Sequence, residues 1–411
     1  MQSEARSPRT TGVIVLVGLM ALSLFINYID RGNLATGATQ IRADLNLSAT
    51  AYGALAAAFY FAYAFFQLPA GALSDRIGGK LVLGLGALLW SLSTLLTGFV
   101  EGFMGLFVLR LMLGMGESVA FTTTSKIIAT NVPRAKMGLA NGVIGFGYLV
   151  GPAVGTLLGG FMMAEWGWRA TFFIFGAASL LWLIPWSRVR IHEAKPIDAL
   201  SEQPVTMRQI LGKRALWGAS LGHFAGNWNW YFILGYLPMY LEMQRGFSKE
   251  HMAAVVSSAY LVNALAALFA GWAIDKAIAR GWSPSLTLKG PLALAHLAGL
   301  VCMLAMPAMP IYWCIALLFV YQIALGLSCP AYFIIPQIMA GPSAAARWVG
   351  VQNMMGNMPG IIGVFFAGVL IDAGGGSYST AFLLAGLVNI LGLIGWLGIL
   401  PKVEPVEWKA T

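Results

Sequence analysis

Long stretches without a charged residue make up most of the chain. From Arg9 to Lys402, stretches of 18 to 30 residues between consecutive charged side chains recur, and one of 57 residues follows Lys289. A helix needs about 20 apolar residues to cross a bilayer, so the longest stretch has room for two helices. One more helix is predicted between Glu101 and Lys126, although two charged residues interrupt it. The pattern predicts twelve transmembrane helices.

The composition supports a membrane protein and excludes several other classes. Of 411 residues, 58% are hydrophobic and 10% are charged, whereas soluble domains have about 25% charged residues. The net charge of +9 comes from cations placed between apolar runs, which argues against a nucleic-acid partner. Three cysteines lie in apolar stretches without ligand spacing, and no catalytic motif is present, so we expect no metal, no cofactor and no enzyme activity.

The distribution of lysine and arginine predicts the orientation, since cytoplasmic loops carry an excess of both. With the N-terminus inside, the opposite loops hold only Arg42, Arg169, Arg245 and Lys249. We therefore expect a multi-pass protein of the cell inner membrane with both termini in the cytoplasm. The cytoplasmic segments then hold 18 cations: Arg6, Arg9, Arg76, Lys80, Arg134, Lys136, Arg188, Arg190, Lys195, Arg208, Lys213, Arg214, Lys276, Arg280, Lys289, Arg347, Lys402 and Lys409.

A polar segment at the middle of the chain separates two halves with a repeated loop. We predict an N-terminal six-helix bundle at 1–189, a cytoplasmic linker at 190–213 and a C-terminal six-helix bundle at 214–411. The stretch GALSDRIGGK at 71–80 has a counterpart, GWAIDK, at 271–276, and a weaker echo pairs Arg134, Gly138 and Asn141 with Arg347, Gly350 and Asn353. Such paired halves place a central site at the repeat interface in many transporters.

The first of these loops resembles the signature of the major facilitator superfamily, G-x-L-[SA]-D-R-x-G-x-K, at every specified position. The resemblance implies that fold, with pseudo-symmetric halves and alternating access between them. It also implies a gating or structural role for this loop and for the acid of its second copy. The residues concerned are Gly71, Asp75, Arg76, Gly78 and Asp275.

Further motifs are similar to the anion:cation symporter family, whose bacterial members carry sugar acids and other organic anions. They are NYIDRGN at 27–33, the R-x6-E pair Arg110 and Glu117, and GHFAGNW at 222–228. The resemblance implies that Asp30 and Glu117 handle protons and that Arg31 binds the substrate carboxylate. It implies that Arg110 organises Glu117 or the anion.

Charged side chains at membrane depth are costly, so they persist when they are paired or face water. Arg110 and Glu117 are about two helical turns apart, too far for a direct bond. We expect a group from another helix between them, supplied by Asp30 and Arg31. A substrate carboxylate on Arg31 would be balanced by a proton on one of the acids. The alternative is that the pairs only hold helices together.

Neutral side chains are predicted to complete the cavity. Tyr52, Phe59 and Tyr63 recur at helical spacing, which is typical of packing as well as of a site. Because the resembling family places substrate contacts there, Tyr28 and Tyr63 are the better candidates. Asn353 and Asn357 put two amides on one face of the eleventh helix, where they contact either the ligand or another helix. For His223 we favour helix packing over proton shuttling.

We therefore expect a monomeric carrier that imports an organic anion with a proton. The fifth helix carries Gly147, Gly151, Pro152 and Gly155, which partly resemble a motif of drug:proton antiporters. Thr156 stands where that motif ends in glycine. An anion exchanger or a drug:proton antiporter is accordingly the alternative. The sequence leaves open whether the substrate is a sugar acid, a small hydroxy or dicarboxylic acid, or an aromatic acid.

Overall fold

The computed structural model describes residues 10–192 and 205–408. In the first of these ranges it contains seven α-helices, of which five exceed 18 residues and two are short. A 3-10 turn at Arg134–Lys136 precedes the sixth. The helices are α1 (Thr10–Thr36), α2 (Ala38–Asp44), α3 (Ala49–Ile77), α4 (Gly79–Thr97), α5 (Phe103–Asn131), α6 (Met137–Leu181) and α7 (Leu183–Arg188).

The second described range is built in the same way. A π-helical segment, Tyr240–Gln244, extends its second helix, and another, Ile394–Ile399, extends its last. A 3-10 turn lies at Met306–Ala308. The helices are α8 (Met207–Leu211), α9 (Arg214–Met239), α10 (Lys249–Ala279), α11 (Pro284–Ala305), α12 (Ile311–Ser328), α13 (Ala331–Ala340), α14 (Ala345–Ala373) and α15 (Ser379–Leu393).

The described helices account for twelve spans. Ten segments are long and apolar enough to cross a membrane. One of them, Arg134–Arg188, has 55 residues and consists of two spans, because Gly167 adopts a φ of +78° inside α6. The twelfth is α9, which has 26 residues and is less apolar because it carries His223, Asn227 and Asn229. The predicted all-helical fold with two six-helix halves is confirmed.

Each half packs mainly upon itself, and two seams join the halves. In the first half α1 packs on α6, and both α3 and α4 pack on α5. In the second half α9 packs on α14 and α15, and α10 packs on α12. The seams are α6 against α10 and α3 against α14. Each seam packs the second membrane-spanning helix of one half against the fifth of the other.

Polar contacts gather the C-terminal segment and the loops between α3 and α4, α5 and α6, and α13 and α14 at one face, here named the termini face. Lys289 Nζ donates to the carbonyl of Leu400 at 2.6 Å, and Val406 N donates to the carbonyl of Met339 at 2.9 Å. Trp186 Nε1 donates to the carbonyl of Lys80 at 3.0 Å. At the same face Gly138 N donates to Asp275 Oδ1 at 2.7 Å and Arg347 Nε donates to Asp75 Oδ2, and both bonds cross between the halves. The termini face is therefore held closed by contacts between the two halves.

The opposite face is held differently among the described residues. Arg169 pairs with Asp44 and donates to the carbonyl of Val100, all in the first half. Arg245 donates to the carbonyl of Met306 at 2.7 Å, within the second half. These contacts brace each half separately.

The predicted domain boundaries at 189/190 and 213/214 stay predictions. Helix α7 ends beside the first boundary, and α9 begins at the second. Helix α8 lies inside the predicted linker. Residues 193–204 of that linker, with Lys195, are outside the described residues, as are Arg6, Arg9 and Lys409.

Candidate functional site

A cavity lies between the two halves at the level of the membrane-buried charges. Side chains of both halves line it, and none of the described lining residues is Asp, Glu, Lys or Arg. A ligand held there would therefore contact both halves at once. The lining residues are Tyr28, Tyr63, Phe121, Tyr148, Leu149, His223, Gly226, Asn227, Trp230, Tyr231, Asn263, Leu325, Cys329, Tyr332, Phe333, Asn353 and Asn357.

The position of α1 beside this cavity is set by glycines of α6. A methyl group on Gly147 would lie 2.6 Å from the carbonyl oxygen of Ala21, and one on Gly151 would lie 2.8 Å from that of Phe25. These approaches are close because glycine lacks a Cβ atom. The glycines that partly resemble an antiporter motif thus pack α1 against α6 within one half.

Arg31, near the end of α1, forms the only described ion pair beside the cavity. Its Nε and Nη2 atoms donate to Glu117 Oε2 at 3.1 and 2.9 Å, and Nη2 also donates to Asn27 Oδ1 at 3.3 Å. The guanidinium carbon lies 4.3 Å from the ring centres of both Tyr28 and Tyr63, which line the cavity. Arg31 is thereby fixed between two rings at the cavity wall.

Glu117 is brought to Arg31 by the close packing of α5. A methyl group on Gly114 would lie 2.5 Å from the carbonyl oxygen of Phe59 on α3, and one on Gly116 would lie 2.7 Å from Trp90 N on α4. The Glu117 side chain is fully buried, and only one carboxylate oxygen has a partner. Arg31, whose carboxylate partner uses a single oxygen, can exchange that partner for another anion.

The group between Arg110 and Glu117 differs in part from the expectation. Arg31 does reach Glu117, but Arg110 stacks on Phe59 of α3, with its guanidinium carbon 4.7 Å from the ring centre. Phe59 also lies under Arg31, at 5.2 Å. An aromatic ring, rather than a second carboxylate, therefore separates the two arginines.

Asp30 points away from the cavity, contrary to the expected four-residue cluster. Its Oδ2 accepts a hydrogen bond from Ser179 Oγ in α6 at 3.0 Å, and the side chain is almost fully buried. Among the described residues it forms no ion pair with an arginine or lysine. The reason is helical geometry, since neighbouring positions on a helix face directions about 100° apart.

The two predicted tyrosines belong to an aromatic wall on the first half. Tyr63 stacks on Phe59 with ring centres 5.7 Å apart. Tyr28 lies beside Tyr148 at 5.2 Å and beside Phe121 at 6.3 Å. The third member of the predicted stripe, Tyr52, instead donates its hydroxyl proton to the carbonyl of Leu34.

The two predicted asparagines lie on the opposite wall, in α14. Asn357 Oδ1 accepts from the Tyr231 hydroxyl at 2.6 Å, and Asn357 Nδ2 donates to the carbonyl of Asn353 at 2.7 Å. The side chain of Asn353 is buried and lines the cavity. The amide of Asn357 is thus occupied by the protein, whereas Asn353 presents its side chain at the wall.

His223 packs within a small polar group at this wall. Its ring lies 4.8 Å from that of Tyr332, and Gln352 Nε2 is 3.3 Å from its Nδ1. Gln352 also donates to the carbonyl of Tyr332 at 2.9 Å. The sequence missed Gln352 and Tyr332, because neither falls in a recognisable motif.

The predicted gating loop joins the halves at the α3–α14 seam. Asp75 accepts from Arg347 Nε of the second half and pairs with Lys126 Nζ at 3.1 Å. A methyl group on Gly71 would lie 2.7 Å from the carbonyl oxygen of Ala346. Of the remaining loop residues, Arg76 is exposed, and Gly78 takes a φ of +93° between α3 and α4.

Asp275 forms the corresponding link at the α6–α10 seam. Its two carboxylate oxygens accept from the backbone N–H groups of Gly138 and Leu139, each at 2.7 Å. A carboxylate is favourable at the start of a helix, where N–H groups are unpaired. The segments Arg134–Gly138 and Arg347–Gly350 resemble each other in the sequence. Each therefore contacts an acid of the opposite half, the first Asp275 and the second Asp75.

The sequence missed one charged residue of this arrangement. Lys126 lies in α5 with its side chain 6% exposed, and it donates to the carbonyl of Ser74 at 2.7 Å besides pairing with Asp75. From the sequence, Lys126 was expected only to mark the end of a membrane-spanning helix. Its position near the end of the helix, eight residues before Arg134 in the charged loop, was the available signal.

The two six-helix halves, their glycine-lined seams and the cavity between them define a membrane transporter rather than an enzyme. The chain belongs to the major facilitator superfamily, since the model of that family matches residues 20–364. The resemblance predicted from the loop at 71–80 is thereby confirmed.

Several curated proteins are similar along nearly the whole chain. The probable sulfoacetate transporter of Cupriavidus necator is 28% identical over 422 residues, covering 96% of each chain. The hexuronate transporter of Bacillus subtilis is 27% identical over 405 residues, covering 93% of each. The solved structure of a proton:xylose symporter has a TM-score of 0.78 at 13% identity, covering 97% of this chain and 98% of that one. This likeness concerns the fold alone.

Proposed function

We propose that the protein imports an organic carboxylate together with a proton, by alternating access across the inner membrane. The ion pair of Arg31 and Glu117 is the observation that carries this proposal. The names of the similar proteins, which include hexuronate and sulfoacetate carriers, support an organic anion. The excess of lysine and arginine at the termini face supports a cytoplasmic location for that face.

The proposed coupling is an exchange of partners on Arg31. When the cavity is empty, the carboxylate of Glu117 neutralises the guanidinium. A substrate carboxylate that takes its place leaves Glu117 as a buried anion without a counter-charge, which favours uptake of a proton by that acid. Substrate and proton then cross together, and release of both restores the pair.

The other site residues receive supporting roles in this proposal. Asp30 is a second proton site, because it is buried and its described partner is a neutral hydroxyl. Arg110 keeps the region positive from behind Phe59. Tyr28, Tyr63, Asn353 and Asn357 bind or position the substrate.

Gly71, Asp75, Arg76, Gly78 and Asp275 form the gate at the termini face. The carrier acts as a monomer, as the sequence predicts. Contacts of Asp75 and Asp275 across both seams hold this face closed. The proposed cycle opens these seams so that substrate bound from the opposite face can leave.

Replacement of Glu117 by glutamine tests the coupling directly. The amide keeps the size of a protonated acid but cannot take up or release a proton. We expect Glu117→Gln to keep exchange of labelled substrate for unlabelled substrate within about threefold while proton-driven accumulation is lost, since one coupled proton supplies about tenfold per pH unit of gradient. Proteoliposomes with an imposed pH gradient provide both measurements.

The matched control is Glu101→Gln, which alters an exposed acid in the loop before α5. It should leave both activities unchanged. Full gradient-driven accumulation by Glu117→Gln would show that Glu117 is only structural. Wild-type uptake that ignores the gradient but requires an internal anion would identify an exchanger instead.

A further inference from the structure

We propose that the carried anion is an aromatic monocarboxylate. This inference rests on the proposed function and narrows it to a substrate class. The charge, the hydrogen-bonding groups and the aromatic lining of the cavity all point to the same class. They separate it from dicarboxylates and from polyhydroxylated sugar acids.

The charge around the cavity fits one carboxylate. None of the described lining residues carries a formal charge, and the cation at the wall is Arg31 between Tyr28 and Tyr63. Arg110 lies behind Phe59. A second carboxylate would face amides, hydroxyls and an imidazole on the second half, and burial of an unpaired charge is costly.

Half of the amide groups on the four lining asparagines are used by the protein itself. Both ends of the Asn357 amide are bonded, and the Nδ2 groups of Asn227 and Asn263 donate to Gly356 O and Gln322 Oε1. The Asn353 amide and the Oδ1 atoms of Asn227 and Asn263 remain, and a sugar acid brings several hydroxyls, each of which needs a partner in this cavity. Each buried hydroxyl left without a partner costs about 1–3 kcal/mol.

Aromatic rings from both halves form the walls instead. Tyr28, Phe121 and Tyr148 cluster on the first half, with ring centres 5.2 to 6.3 Å apart. Trp230 and Tyr332 belong to the second half, and Phe333 of that half stacks on Phe121 at 4.9 Å. A flat ring placed between such walls gains stacking and edge contacts as well as burial.

One hydroxyl in this cavity has no protein partner. The Tyr332 side chain lines the cavity, the residue is 8% exposed, and its hydroxyl oxygen makes no hydrogen bond in the described structure. It lies against α9 at Gly226. A buried polar group without a partner is unfavourable, so we assign it to a hydroxyl substituent on the substrate ring.

The test is a binding panel measured by calorimetry on the full chain in lipid nanodiscs. The probes are benzoate, 3- and 4-hydroxybenzoate, cyclohexanecarboxylate, succinate and glucuronate. We expect benzoate to bind about threefold to tenfold more tightly than cyclohexanecarboxylate, because aromatic contacts add to burial. One hydroxybenzoate should bind more tightly than benzoate, and succinate and glucuronate at least about tenfold more weakly.

A pair of matched variants tests the role of Tyr332. Tyr332→Phe should lower the ratio of hydroxybenzoate affinity to benzoate affinity about tenfold. Tyr260→Phe should leave that ratio unchanged, because the Tyr260 hydroxyl is likewise buried without a partner but lies outside the cavity lining. An equal ratio in wild type and Tyr332→Phe would overturn the assignment of Tyr332.

The outcomes separate this inference from the proposed function. Arg31-dependent binding of succinate or glucuronate in preference to benzoate would overturn the aromatic class and leave organic-anion transport intact. Equal affinity for cyclohexanecarboxylate and benzoate would overturn it as well. If no probe shows Arg31-dependent binding, both the inference and the proposed role of Arg31 fail.

Discussion

Replacement of Arg31 by alanine is expected to reduce carboxylate uptake into proteoliposomes by about 100-fold or more. A charged hydrogen-bond pair is worth about 1.5–3 kcal/mol, and the variant loses two such bonds to the substrate. Arg31→Lys should recover only part of the rate, because an ammonium lacks the planar fork that lies between Tyr28 and Tyr63. Initial rates with a labelled carboxylate provide the measurement.

Two further variants control for a purely structural effect of the Arg31→Ala replacement. Arg169→Ala removes an arginine that also pairs with a carboxylate and stacks on a ring, but at the opposite face, and should retain most of the uptake. The double variant Arg31→Ala/Glu117→Gln avoids leaving Glu117 buried without a partner. Uptake within about threefold of wild type in the folded double variant would exclude Arg31 as the anion site.

Replacement of Gly271 by alanine is expected to shift the protein towards the state that is open at the termini face. The added methyl group would lie 2.3 Å from the carbonyl oxygen of Gly138 across the α6–α10 seam. Overpacking of this kind costs about 1–3 kcal/mol, enough to change a two-state population about fivefold to 100-fold. This energetic cost arises only in the state in which the α6–α10 seam is closed.

Modification of Cys329 reports this shift. The thiol lines the cavity and is buried in this state. In a background with Cys302 and Cys314 replaced, a membrane-impermeant thiol reagent applied at the termini face should react faster with Gly271→Ala than with wild type. Gly290→Ala is the control, because no atom lies within 4 Å of its added methyl group. Equal reaction rates in all three proteins would show that this seam does not gate the cavity.

The sequence predicted the architecture well because its signals are long and local. Uncharged stretches and loop cations set the spans, and the glycine-rich loop at 71–80 revealed the family. The pairing of Arg31 with a membrane-buried acid was also accessible, because few charges occur at membrane depth. That scarcity leaves few alternative partners.

The direction of side chains was harder to predict. Asp30 and Arg31 adjoin in the sequence, but only Arg31 reaches the cavity side, and Asp30 meets Ser179 in the second part of α6. Contacts of Lys126 with Asp75 and of Tyr332 with His223 depend on how separate helices pack. No local pattern of hydrophobic and polar residues contains that information.

The two seams at the termini face use unlike chemistry for the same mechanical task. Asp75 meets the side chains of Arg347 and Lys126, whereas Asp275 meets backbone N–H groups. Coulomb attraction decays slowly with separation, but a hydrogen bond is lost within about 1 Å of stretching. In the proposed cycle we therefore expect the α6–α10 seam to release over a shorter separation than the α3–α14 seam, so that opening begins at α6 and α10.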